Sequence, residues 1–112
     1  MNKLAVFVNN ELVFECNREI TFEENQLAFL DRMDSDMENG IKIQGELLVK
    51  PDSQQRATFV VMNLIKALQQ GNEAVLSASC AYLASRHPGL VEVHANDDLE
   101  SVKVELVEEK LN

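Results

Sequence analysis

A chain of 112 residues with 46% hydrophobic and 26% charged side chains fits one domain with one core, and excludes disorder as the main state. Nineteen acids against ten bases give a formal charge of −9, which repels phosphate backbones and argues against direct nucleic-acid binding. The excess is uneven: residues 21–50 hold seven acids and three bases, whereas residues 51–88 hold two and three.

Residues 3–8 and 11–16 are β-prone runs separated by Asn9-Asn10. Asparagine tolerates positive φ, so the pair predicts a tight hairpin. Leu4, Val6 and Val8 share one face, and Leu12 and Phe14 are expected to share one face of the partner strand. Ala5, Phe7 and Val13 make the opposite face partly apolar, which a sheet covered on one side does not need; a second layer or another subunit is expected there. The apolar run is too short for a signal peptide, and no segment approaches the length of a membrane span.

Thr21 and Glu24 have capping-box spacing, and Phe22, Phe29, Leu30, Met33 and Met37 follow at helical intervals. Residues 41–49 support two arrangements. As a strand, Ile41, Ile43, Leu47 and Val49 alternate with polar neighbours. As a helix, Leu30, Met33, Met37, Ile41, Gln44 and Leu48 continue a 3-4 stripe, against a cost of roughly 1 kcal/mol each for Gly40 and Gly45. The expectation adopted is one long, bent helix from Thr21 to about Lys50.

Pro51 ends that element. Asp52, with Gln55 three residues on, predicts the N-terminus of a helix running to Gln70, and Gly71 its C-terminal cap. Asn72 then caps a helix over residues 73–86, rich in alanine and serine and closed by His87-Pro88-Gly89. Residues 90–94 and 101–107 alternate as strands, with Val91 and Val93 expected to face one way. The fold class expected is α+β: an N-terminal β-hairpin, a three-helix core made of the long first helix and a helical hairpin, and a C-terminal strand pair completing an antiparallel sheet over residues 1–112.

Cys16 and Cys80 are too few for a disulfide framework and lack metal-ligand spacing. They are expected as buried free thiols in a cytoplasmic protein. Asp34-Ser35-Asp36-Met37-Glu38-Asn39-Gly40 resembles a calcium loop in composition, and Asp34, Asp36 and Glu38 are its candidate metal ligands. The register fails, because the glycine falls one position late and Gly45 occupies the place of the bidentate glutamate. A solvated helix face bearing Asp31, Asp34 and Glu38 is the simpler expectation. Cys80 with His87 or His94 is the one candidate nucleophile–base pair, with no orienting group identifiable. Arg56 and Arg86 are expected to pair with acids of the first helix rather than to receive an anion. No cofactor motif is present in the sequence, and no cofactor is expected.

Leu30-Asp31-Arg32-Met33-Asp34-Ser35-Asp36-Met37, Gly40, Pro51-Asp52, Gln55-Arg56, Ala67-Leu68 and Asn72-Glu73-Ala74 resemble segments of small proteobacterial proteins of unknown function, and the likeness extends to Ala81-Tyr82-Leu83 and Arg86-His87-Pro88. It spans the middle half of the chain, the leading hairpin departs from it, and it implies no activity. The function expected is that of a small, acidic, non-enzymatic interaction or accessory protein that binds a protein partner or pairs with itself as a homodimer. The alternative is a ligand- or metal-binding protein using residues 34–38, and the remaining one a small enzyme built on Cys80.

Overall fold

A computed structural model describes residues 3–17, 23–43, 45–97 and 102–108. The leading hairpin is β1 (Lys3–Val8) and β2 (Glu11–Asn17). Asn9 and Asn10 take φ of 51° and 69°, the doubly left-handed turn that suits the twist of an antiparallel pair. The closing hairpin is β5 (Leu90–Asp97) and β6 (Val102–Glu108). The two hairpins join through a parallel pairing of β1 with β5, giving the mixed order β2-β1-β5-β6. That pairing puts the most apolar strands at the centre, where Val6 and Val93 are fully buried.

The helices are α1 (Glu24–Glu38), α2 (Ser53–Gln70) and α3 (Glu73–Arg86). At the start of α2 the Gln55 amide donates to Asp52 Oδ1 (2.8 Å) and the Asp52 amide to Gln55 Oε1 (2.9 Å), the reciprocal cap its sequence predicts. Gly71 is left-handed at φ 69°, and the Asn72 side chain accepts from the Val75 amide (3.3 Å). The hairpin of α2 and α3 covers the sheet face that carries Leu4, Val6, Val93 and Ala95. The box predicted at Thr21 lies outside the described residues; within them, the Glu23 amide donates to Gln26 Oε1 at the head of α1.

The long first helix does not form. The α1 helix stops at Glu38, and residues 41–49 instead contain a second small sheet, β3 (Ile41–Ile43) antiparallel to β4 (Glu46–Leu48). The glycines decide it: Gly40 takes φ +123° and Gly45 φ +81°, conformations outside a helix and open chiefly to glycine. Ile41 is buried against the core while Leu47 and Val49 are exposed.

Two register shifts also depart from simple alternation. On β2, Val6 faces Phe14 but Phe7 faces Leu12, so Val13 is an extra residue. This bulge turns Leu12 onto the face opposite Phe14, and the two do not share a face as the sequence suggested. On β5 the shift falls at Val91, so Val91 and Val93 are not a simple inward pair; Leu90 and Val93 are the buried ones.

The cysteines are not free. Cys16 on β2 and Cys80 on α3 form a disulfide with Cα atoms 5.5 Å apart, 64 residues apart in sequence. Both are nearly inaccessible, and closing a loop of that length stabilises by about 4 kcal/mol in the chain-entropy picture.

A Cβ added at Gly40 would lie 3.2 Å from Leu47 Cδ1 on a backbone that L residues disfavour. Gly40→Ala is therefore expected to lower stability by about 1–2 kcal/mol in urea denaturation. Were this segment a helix, the same change would raise stability by up to about 1 kcal/mol.

Candidate functional site

The most organised polar cluster centres on Asp34 of α1. Its Oδ1 accepts from the Tyr82 hydroxyl (2.5 Å) and from Arg56 Nη1 (3.2 Å), and its Oδ2 from Arg86 Nε (3.0 Å). Arg86 Nη2 also donates to Asp31 Oδ1 (2.5 Å), and Arg56 Nη2 to Glu38 Oε1 (3.4 Å). Arg56 Nε donates to the Pro51 carbonyl (3.1 Å), which fixes the guanidinium at the entry of α2. Tyr82 and Arg86 are four residues apart on α3, and Asp31 and Asp34 three apart on α1, so each pair shares one helix face.

Burial pushes the Asp34 carboxyl up, but the Tyr82 hydroxyl, Arg86 and Arg56 together hold it below the ordinary value. Burial and the bond to Asp34 push the Tyr82 phenol up, so it stays a donor. The cluster satisfies its own charges and ties α1 to the start of α2 and the end of α3. On the face expected to be solvated, Asp31 and Glu38 keep exposed side chains while Asp34 is turned to two guanidinium groups, the pairing expected for Arg56 and Arg86.

The three candidate metal ligands are not brought together. Asp34 is taken by the cluster, and Glu38 lies at its exposed edge. Asp36, two residues on from Asp34, lines a different cleft with Phe29, Met33 and Met37, as a helical rotation of about 200° dictates. Among the described residues, no group of three or more His, Cys, Asp or Glu side chains is placed to hold a metal ion.

The Cys80 constellation is not assembled either. Its sulfur is in the bond to Cys16, so no thiolate is offered. His94 sits on the far face of the sheet, stacked on Phe7 with ring centroids 4.5 Å apart and planes 2° from parallel. Its Nε2 lies 2.9 Å from Glu92 Oε1. His87 packs against the Tyr82 ring at 6.2 Å, and its buried Nε2 has no partner among the described atoms. Burial depresses the His87 pKa, partly offset by Glu108 and Asp34.

Two further surfaces stand out, the first anticipated in part by the apolar second face of the leading hairpin, the second not evident from the sequence. One is the sheet face that no described helix covers, where register puts Leu12, Phe7 and His94 in a row across three strands. Leu12 is 50% exposed and the bulged Val13 44%. The other is a cleft of about 460 Å³ between α2, β3 and the ends of β1 and β5. The bulge that creates the first has no local sequence signal, and the second needs three distant segments. No family model matches the chain, and neither a curated protein nor a solved structure matches it.

Asp34→Asn is expected to cost about 2 kcal/mol at neutral pH, the scale of charge-assisted hydrogen bonds in a partly solvated site. The folded-state pKa of Asp34 is depressed, so its contribution is fully present above the ordinary value of 3.8 and is lost as pH falls through the lower folded value. The stability gap between the two proteins in urea titrations from pH 7 to 2.5 should therefore narrow towards the acid end; a pH-independent gap would contradict this assignment.

Proposed function

We propose that this chain is a non-enzymatic accessory protein that docks a positively charged protein partner on the open face of its sheet. The observation that carries this is the Leu12–Phe7–His94 row: two apolar side chains and a stacked imidazole on a strand surface that no described helix covers. Such a row is an apolar centre, and Glu15, Glu92 and Lys103 around it supply a polar rim. The charge of −9 selects a cationic partner and speeds its encounter. The same charge opposes a symmetric pairing of this face with its own copy, which would set each acid near its equivalent.

Self-association along a free sheet edge is the second reading. It is favoured by β2 lying at the end of the sheet order with Leu12 and Val13 exposed. No helix among the described residues is long and apolar enough to cross a membrane.

Affinity capture from the native host, using wild type, Leu12→Asp and Val75→Asp, tests the docking face. Leu12 lies on the sheet and Val75 on α3, and both are already exposed, so neither change should unfold the chain. A stoichiometric basic partner retained by wild type and Val75→Asp but lost from Leu12→Asp is expected. Equal retention by all three, or monomeric behaviour independent of concentration with no partner, would contradict the proposal.

A further inference from the structure

The cleft of about 460 Å³ on the helical side has a composition opposite to that of the chain. In a protein with nineteen acids and ten bases, its lining contains two lysines, Lys42 and Lys66, and no acid. Its floor is apolar, with Phe59, Met62 and Ile65 from α2 facing Val8 and Ala95. Neither ammonium group has an ion-pair partner among the described residues. By contrast, Arg56 and Arg86 are both engaged by acids of α1.

The topology points to the same place. Val8 and Ala95 are registered neighbours at the carboxyl end of β1 and β5, the single parallel pair among the described strands. The Asn9 amide donates to the Ala95 carbonyl there (2.8 Å). Crevices outside the carboxyl ends of parallel strands are where open sheets with helical crossovers bind small molecules, and the volume lies within the usual small-molecule range of about 300–1,000 Å³.

We propose that this cleft binds a small amphipathic carboxylate, its apolar body on Phe59, Met62 and Ile65 and its carboxylate between Lys42 and Lys66. Apolar burial supplies the affinity and the two ammonium groups supply selection for a negative end. The net charge of the chain works against indiscriminate anion binding, so a carboxylate that binds must do so where the local charge is reversed. The cleft is on the other side of the sheet from the Leu12–Phe7–His94 row, and its occupancy does not depend on the docking proposal.

The test uses octanoate and 1-octanol as probes of equal chain length, titrated into the ¹⁵N-labelled protein at pH 7 and read by amide chemical shifts. Octanoate is expected to shift Lys42, Phe59, Lys66 and Ala95 amides saturably, with octanol binding weaker. Lys42→Gln with Lys66→Gln should weaken octanoate about tenfold while leaving octanol unchanged. Both lysines are exposed, so the variant should keep the wild-type amide spectrum outside the cleft. Octanoate shifts elsewhere, equal binding of octanol, or undiminished octanoate binding by the variant would overturn the assignment, as would no saturable shift in wild type.

Discussion

The position of α1 depends on one carboxylate. Few side chains of α1 reach the core: Leu30 and Met37 are buried and Met33 is partly so, while Leu27 and Phe29 remain exposed. That apolar stripe is too narrow to fix both the height and the rotation of a helix. Asp34 supplies the missing constraint by accepting from Tyr82, Arg56 and Arg86 at once. A partly buried carboxylate without such partners would carry a desolvation cost, and misplaced guanidinium groups would carry their own. The cluster thus ties α1 to α2 and α3 through directional bonds that an apolar stripe does not provide. The Cys16–Cys80 bond ties α3 to the edge strand β2, while α2 packs on β6 and β3.

This arrangement explains which surfaces are left over. The α2–α3 hairpin serves one face of a four-stranded sheet, and α1 packs on α3 rather than beneath the strands. The second sheet face therefore keeps its own side chains in view. The bulge at Val13 then decides what that face presents, by sending Leu12 outward beside Phe7 and His94. On the helical side, α2 and the small β3–β4 sheet meet the ends of β1 and β5 and enclose the cleft that carries Lys42 and Lys66. Arg56 and Arg86 are neutralised by acids of α1, whereas Lys42 and Lys66 present their charge beside an apolar floor.

Much of the fold was legible because local chemistry announced it. Asn9-Asn10 can take two positive φ angles, Asp52 and Gln55 can cap each other, and Gly71-Asn72 can end one helix and begin the next; each does so. Residues 41–49 misled because an alternating strand and a 3-4 helical stripe coincide over nine positions. There the two glycines, counted as a tolerable helix cost, were the deciding residues. The bulges at Val13 and Val91 were invisible because register is set by neighbouring strands. A disulfide between residues 64 positions apart likewise has no spacing to betray it. The Asp34 cluster was half visible: the acids and arginines were paired correctly in kind. The share of Tyr82, and the meeting of both arginines on Asp34, needed the docked helices. Neither the open sheet row nor the lysine-bearing cleft can be read from one segment.

Native-state hydrogen exchange on wild type and Asp34→Asn tests most directly whether this carboxylate holds α1 in place. If it does, the protected amides of α1 lose most of their protection in the variant, while those of α2 and the central strands β1 and β5 keep theirs relative to global stability. A uniform loss across all elements, or unchanged protection in α1, would mean that the apolar stripe alone positions the helix and that Asp34 does not hold it.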